Sequence, residues 1–189
     1  MRPRVGGLIL FHGAGGDRDH HLFVALEAAL NVRVARINFP YRQTGPGRRP
    51  PDRMPKLIEA VNGAVAEQSA AWNEPADRLV VGGRSMGGRA ASMAVAEGLE
   101  PAGLLLLSYP LHPPGKPEKL RVDHFAAIGC PTLLVQGTRD PFGRPDVFAR
   151  HLPAIAGPLT ENWIDANHSP AEKLDDDIVA IIRSWLADL

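Results

Sequence analysis

A chain of 189 residues, 44% of them hydrophobic, has the length of one compact domain and is too short for several. Its 21 basic and 21 acidic residues balance to zero formal charge, which excludes a global field that would draw the protein to nucleic acid or to an anionic membrane. The single cysteine, Cys130, excludes an internal disulfide.

The opening stretch MRPRVGGLILF sets basic residues before apolar ones. Its apolar run holds two glycines and passes into HGAGGD without a small-residue cleavage site, so no secretory leader is expected. No run approaches the ~20 apolar residues of a bilayer span. These features predict a cytoplasmic protein.

In chain order, Leu8–Phe11 reads as a short buried strand, followed by the HGAGGD loop and a helical pattern over Leu22–Leu30. A second strand, Val32–Ile37, leads into the irregular FPYRQTGPGRRPPDR and a helix over Leu57–Ala71. The strand Leu79–Val81 enters VVGGRSMGGR and a helix over Gly88–Glu97. Leu104–Leu107 is followed by YPLHPPGKPEK and a weaker helical piece, Val122–Ala127. Cys130 stands before Pro131 at the buried start of a strand Thr132–Val135, after which come a helix Val147–Leu152 and a strand Asn162–Ile164. Ile178, Ile181, Ile182, Trp185, Leu186 and Leu189 repeat at helical spacing to close the chain.

Strand and helix thus alternate about six times. That order predicts one α/β domain over residues 1–189, with a doubly wound, mostly parallel sheet, because parallel neighbours need crossovers whose helices cover both faces. Functional groups belong on the loops after strand C-termini, and the two long irregular connections, both following strands, are expected to wall the site.

Gly83-Arg84-Ser85-Met86-Gly87 fits G-x-S-x-G between a strand and a helix, the setting of a nucleophile elbow. A sharp turn there lifts the serine hydroxyl above the sheet and leaves no room for bulky residues two before or two after it. A phosphate loop fits less well, since Arg89 and Ala90 stand where lysine and a hydroxyl residue would hold phosphate and magnesium. A plain glycine-rich turn is the remaining alternative, and other segments decide against it.

His12-Gly13-Ala14 follows the first strand, where a second oxyanion donor is needed beside the Met86 N–H, and the Ala14 N–H is the candidate. A dinucleotide fingerprint begun at Gly13 would put Arg18 at its third glycine. His12, Asp17, Asp19, His20 and His21 lack metal-ligand spacing and read as a solvated helix start. Asp140, in TLLVQGTRDPFG, sits in a loop directly after a strand as the expected acid, with Asp146 better placed to begin the next helix and Asp165 in reserve. Only His151 and His168 follow Asp140; His151 falls inside a helical pattern, which leaves His168 between the last strand and last helix as the base.

Through HGAGGD, GGRSMGG, GTRDPFG and NHS, in this order and each after a strand, the sequence resembles the α/β-hydrolase superfamily and its small dienelactone-hydrolase-like branch. It is similar there to compact hydrolases related to a subunit of an animal chromatin complex, a group that includes proteins without demonstrated activity. The resemblance implies a compact α/β-hydrolase fold without a large lid and hydrolysis of a carboxylic ester or thioester. It departs from dienelactone hydrolase itself, whose nucleophile is cysteine.

On this reading Ser85 attacks, His168 carries the proton, Asp140 holds the imidazole, and the Ala14 and Met86 amides bind the oxyanion, with no metal or organic cofactor required. Phe39, Tyr41, Tyr109, Leu111 and His112 are expected to line an open pocket; Arg42, with Arg48, Arg49, Arg53 and Arg84, reads either as a solvated loop of an arginine-rich protein, the favoured reading, or as a contact for a substrate anion. The partner is a small-molecule ester. Acyl transfer and peptide cleavage use the same groups, and an interaction protein with an unused site is the alternative from another class.

Overall fold

The computed structural model describes residues 5–43 and 49–189. Six strands, β1 (Gly7–Phe11), β2 (Arg33–Ile37), β3 (Leu79–Arg84), β4 (Gly103–Leu107), β5 (Thr132–Gly137) and β6 (Leu159–Ile164), form one parallel sheet in the order β2-β1-β3-β4-β5-β6. The chain runs outward from β1 to β2, then returns to the far side of β1 to lay down β3. That reversal separates the loops after β1 and β3 and opens a crevice at their C-terminal ends.

Side-chain alternation along the strands builds two cores. Leu8 and Leu10 of β1 pack with α1 (His21–Ala29) and α6 (Asp175–Asp188) on one face. Ile9 and Phe11 point the other way, to α3 (Met54–Trp72) and α4 (Met86–Ala96), after the one-turn α2 (Pro40–Gln43). Phe148 of α5 (Pro145–His151) joins this second core. The starts of α1 and α6 are tied by His21 Nδ1 and Asp175 Oδ2 at 2.7 Å.

Two strands run three residues beyond the sequence reading: β6 starts at Leu159 rather than Asn162, and β3 runs on through Gly82 and Gly83 to Arg84 instead of ending at Val81. These glycines continue the strand because its neighbours press on it. A β-carbon at Gly82 would enter the Leu105 carbonyl, and one at Gly83 the Phe11 carbonyl. The expected helix over Val122–Ala127 shrinks to one 3-10 turn, Phe125–Ala127. Cys130 is half-buried beside the core rather than within it, and burial pushes its thiol up to about 11. No helix among the described residues is long and apolar enough to cross a membrane.

Candidate active site

Ser85 stands between the end of β3 and the start of α4 with φ 53° and ψ −115°, a backbone position that a residue with a β-carbon rarely adopts. Two hydrogen bonds hold it there: its N–H donates to Leu107 O at 2.8 Å, and its carbonyl accepts from Arg89 N–H at 3.0 Å. Tight packing against β1 demands the flanking glycines. The β-carbon missing from Gly87, like that missing from Gly83, would occupy the carbonyl oxygen of Phe11.

Beside it, the loop after β1 turns at Gly13–Gly16, with Gly16 N–H on Gly13 O at 3.1 Å. Gly13 lies against the elbow, since a β-carbon there would sit 3.4 Å from Ser85 Cβ. Ala14 N–H has no backbone acceptor among the described residues. Met86 opens α4, so its N–H has no intrahelical acceptor either.

The loop is braced from below by residues whose work was not legible in the sequence. His12 is buried; its Nε2 accepts from Phe39 N–H at 3.1 Å, which fixes the proton on Nδ1, where it donates to Gly13 O at 2.8 Å. Burial lowers its proton affinity, so it is held neutral. Tyr41 OH donates to Ala14 O at 3.0 Å, and burial pushes that phenol up to about 12.

Across the crevice, Ser85 Oγ lies 2.9 Å from His168 Nε2, and His168 Nδ1 lies 2.7 Å from Asp140 Oδ2. A carboxylate facing Nδ1 places the ring proton there and leaves Nε2 to accept from the serine. Asp140 is fully buried and satisfied: Oδ2 also accepts from Gln136 Nε2 at 2.7 Å, and Oδ1 from Phe142 N–H at 2.8 Å. Gln136, a polar residue closing the apolar strand TLLVQG, was the available signal for this support. At Gly137 the absence of a β-carbon lets the Asp140 turn lie against the carbonyls of Ala166 and Asn167, just before His168.

Arg84 secures the other side of His168. Its Nη2 donates to His168 O at 2.9 Å and to Ser169 Oγ at 2.6 Å, so this guanidinium positions the histidine loop. Phe142 caps the imidazole edge-on, with ring centroids 4.5 Å apart.

Ser85, His168, Ala14 and Met86 face an open cleft of about 510 Å³. Both long connections wall it, through Pro51, Asp52 and Met54 on one side and Pro110, His112 and Arg121 on the other. The expected lining needs correction. Of the six residues proposed for it, only His112 lines the cleft. Phe39, Tyr41, Tyr109 and Leu111 are core side chains, folded back from the strand ends to bury apolar area, and Tyr109 OH donates to Arg121 O at 2.8 Å. Arg42 pairs with Asp17 at 3.3 Å instead of facing the cleft. Arg53 precedes α3, and Arg48 lies outside the described residues.

The histidines and acids before α1 are likewise engaged: His20 Nδ1 accepts from Leu22 N–H at 3.3 Å, His21 meets Asp175, and Asp19 pairs with Arg36 at 2.7 Å.

The fold is shared with several solved structures. Paleococcus ferrophilus monoacylglycerol lipase is 15% identical, with a TM-score of 0.77 over 98% of this chain and 95% of that one. Est1E from Butyrivibrio proteoclasticus, solved with ferulic acid bound, is 15% identical, with a TM-score of 0.77 over 98% of this chain and 90% of that one. Arabidopsis thaliana SOBER1 is 18% identical, with a TM-score of 0.64 over 96% of this chain and 97% of that one. A family model described as an alpha/beta hydrolase domain matches residues 5–178, nearly the whole length, and the chain belongs to that family.

Proposed function

We propose that this protein is a serine hydrolase that cleaves small carboxylic esters or thioesters through an acyl-enzyme. The observation that carries the reading is the hydrogen-bonded chain from Ser85 Oγ through His168 to the buried Asp140, at the wall of an open cleft.

In the first half-reaction Ser85 Oγ bonds to the acyl carbon as its proton passes to His168 Nε2, and Asp140 stabilises the imidazolium. The oxyanion collects the N–H groups of Ala14 and Met86, the latter at the positive end of α4. Collapse of the tetrahedral intermediate breaks the ester C–O bond, and the leaving alkoxide takes the proton from His168. Water then repeats the sequence in reverse roles, giving the acid and free Ser85.

The likeness to a monoacylglycerol lipase and to Est1E, solved with ferulic acid bound, supports ester chemistry, and the dienelactone-like segments agree with it. Among the described residues no large insertion covers the cleft, which favours short, soluble esters. Turnover of p-nitrophenyl butyrate that disappears in His168→Gln supports the proposal. A folded wild-type protein that turns over no activated ester favours an interaction protein with an unused site, and equal use of butyryl and palmitoyl esters contradicts the preference for small substrates.

A further inference from the structure

The cleft contains a pair of cations that the Ser85–His168–Asp140 chain does not employ. Arg89 sits one helical turn beyond Ser85, its N–H bonded to Ser85 O, so the two side chains share one face of α4. Arg121 reaches the same cleft from the connection between β4 and β5. Burial and then the charge of Arg89 lower the proton affinity of Arg121, which puts the two guanidiniums within each other's field. Like charges held together and partly desolvated are costly without a counterion.

Neither is given one. Among the described residues no ion pair includes Arg89 or Arg121, and Arg89 Nε is buried without a hydrogen-bond partner. Asp52, the one carboxylate among the described lining residues, has its charge paired through Oδ1 with Lys56 at 2.9 Å, and its Oδ2 is buried without a hydrogen-bond partner.

The wall behind the pair is braced by hydrogen bonds. Tyr109 OH holds the Arg121 carbonyl, while Ser92 Oγ donates to Arg89 O at 2.8 Å. That commitment of the Ser92 proton leaves His124 Nε2, 2.8 Å away, to donate back to the serine, so this second serine–histidine pair is a brace and not a nucleophile.

We propose that Arg89 and Arg121 form an anion subsite, and that the preferred substrate is an ester carrying a carboxylate or phosphate group a few bonds from the scissile carbonyl. The subsite stands on its own residues, and its catalytic consequence rests on the serine-hydrolase reading. Planar guanidiniums suit either oxyanion through paired N–H donors.

The test compares kcat/KM for monomethyl glutarate, whose own carboxylate does not readily expel methoxide, and for methyl valerate, its uncharged counterpart. The charged ester should lead by roughly a hundredfold, about tenfold per arginine contact. Arg89→Gln and, separately, Arg121→Gln should each cut the ratio about tenfold, the second variant standing in if the first disturbs α4. A ratio near one, or one unchanged in both variants, overturns the subsite while leaving the esterase intact.

If neither ester, nor p-nitrophenyl butyrate, is turned over, calorimetry of monomethyl glutarate with Ser85→Ala decides. Binding that is lost on adding Arg121→Gln supports the subsite and sinks the ester reading; no binding overturns both. Methyl 4-phosphonobutyrate in the same assays distinguishes a phosphate-selective subsite from a carboxylate-selective one.

Discussion

Gln136 donates to Oδ2 of Asp140 at 2.7 Å, the same oxygen that faces His168 Nδ1. One carboxylate oxygen is thereby fixed from the sheet before it reaches the imidazole. Replacing Gln136 by Met removes a hydrogen bond to a buried charge, worth about 1.5–3 kcal/mol. We expect kcat for a short p-nitrophenyl ester to fall roughly 10- to 100-fold with little change in KM. Steady-state kinetics of the folded variant check this, and a change confined to KM contradicts the positioning role.

The backbone at Ser85 stores strain that a β-carbon maintains. Ser85→Gly should therefore be more stable than Ser85→Ala by about 1 kcal/mol, although neither turns over ester. Urea unfolding of the two variants, read at their midpoints, makes the comparison. Equal stability contradicts the argument from φ 53°.

Gly87 leaves room for the Phe11 carbonyl, which a methyl group would displace. Because backbone on both sides must move, Gly87→Ala should destabilise the fold by about 1–3 kcal/mol or more. Thermal denaturation of a soluble variant tests this, and an unchanged midpoint refutes the claimed close approach.

Tyr41 reaches the candidate oxyanion loop through one hydrogen bond, to Ala14 O. Tyr41→Phe keeps the ring in the core and removes only that bond, so kcat should drop about fivefold to tenfold while stability changes by about 1 kcal/mol. Loss of stability with full kcat would make Tyr41 a core residue alone.

Burial lowers the imidazoles of His20 and His124 to about 4, and that of His12 below its ordinary value. Between that range and the unfolded value of about 6.5, the unfolded chain binds more protons than the folded one. Their contribution is complete above pH ~6.5 and is lost progressively as pH falls toward about 4. Urea midpoints measured across this window should decline with acidification, and His124→Gln should flatten the slope.

The parallel sheet was legible because buried strands such as LILF and LLLL are short apolar runs separated by helical spacing. The order serine, acid, histidine was legible because each residue follows a strand, which is where this architecture exposes side chains. Which way a loop side chain turns was not. Phe39, Tyr41, Tyr109 and Leu111 follow strands just as His112 does, yet burial of their large apolar area draws them into the core. The pairing of Arg89 with Arg121 was not legible for the converse reason. They are 32 positions apart in sequence, one hidden in a helix and one in a loop, and only the fold sets them at the same cleft.

The central claim is that Ser85 is an activated nucleophile, and fluorophosphonate labelling with peptide mass spectrometry tests it most directly. A single adduct on the peptide containing Ser85, absent in Ser85→Ala and strongly reduced in His168→Gln, is the predicted result. A folded wild-type protein that takes up no label, or takes it up equally after Ser85→Ala, contradicts the account.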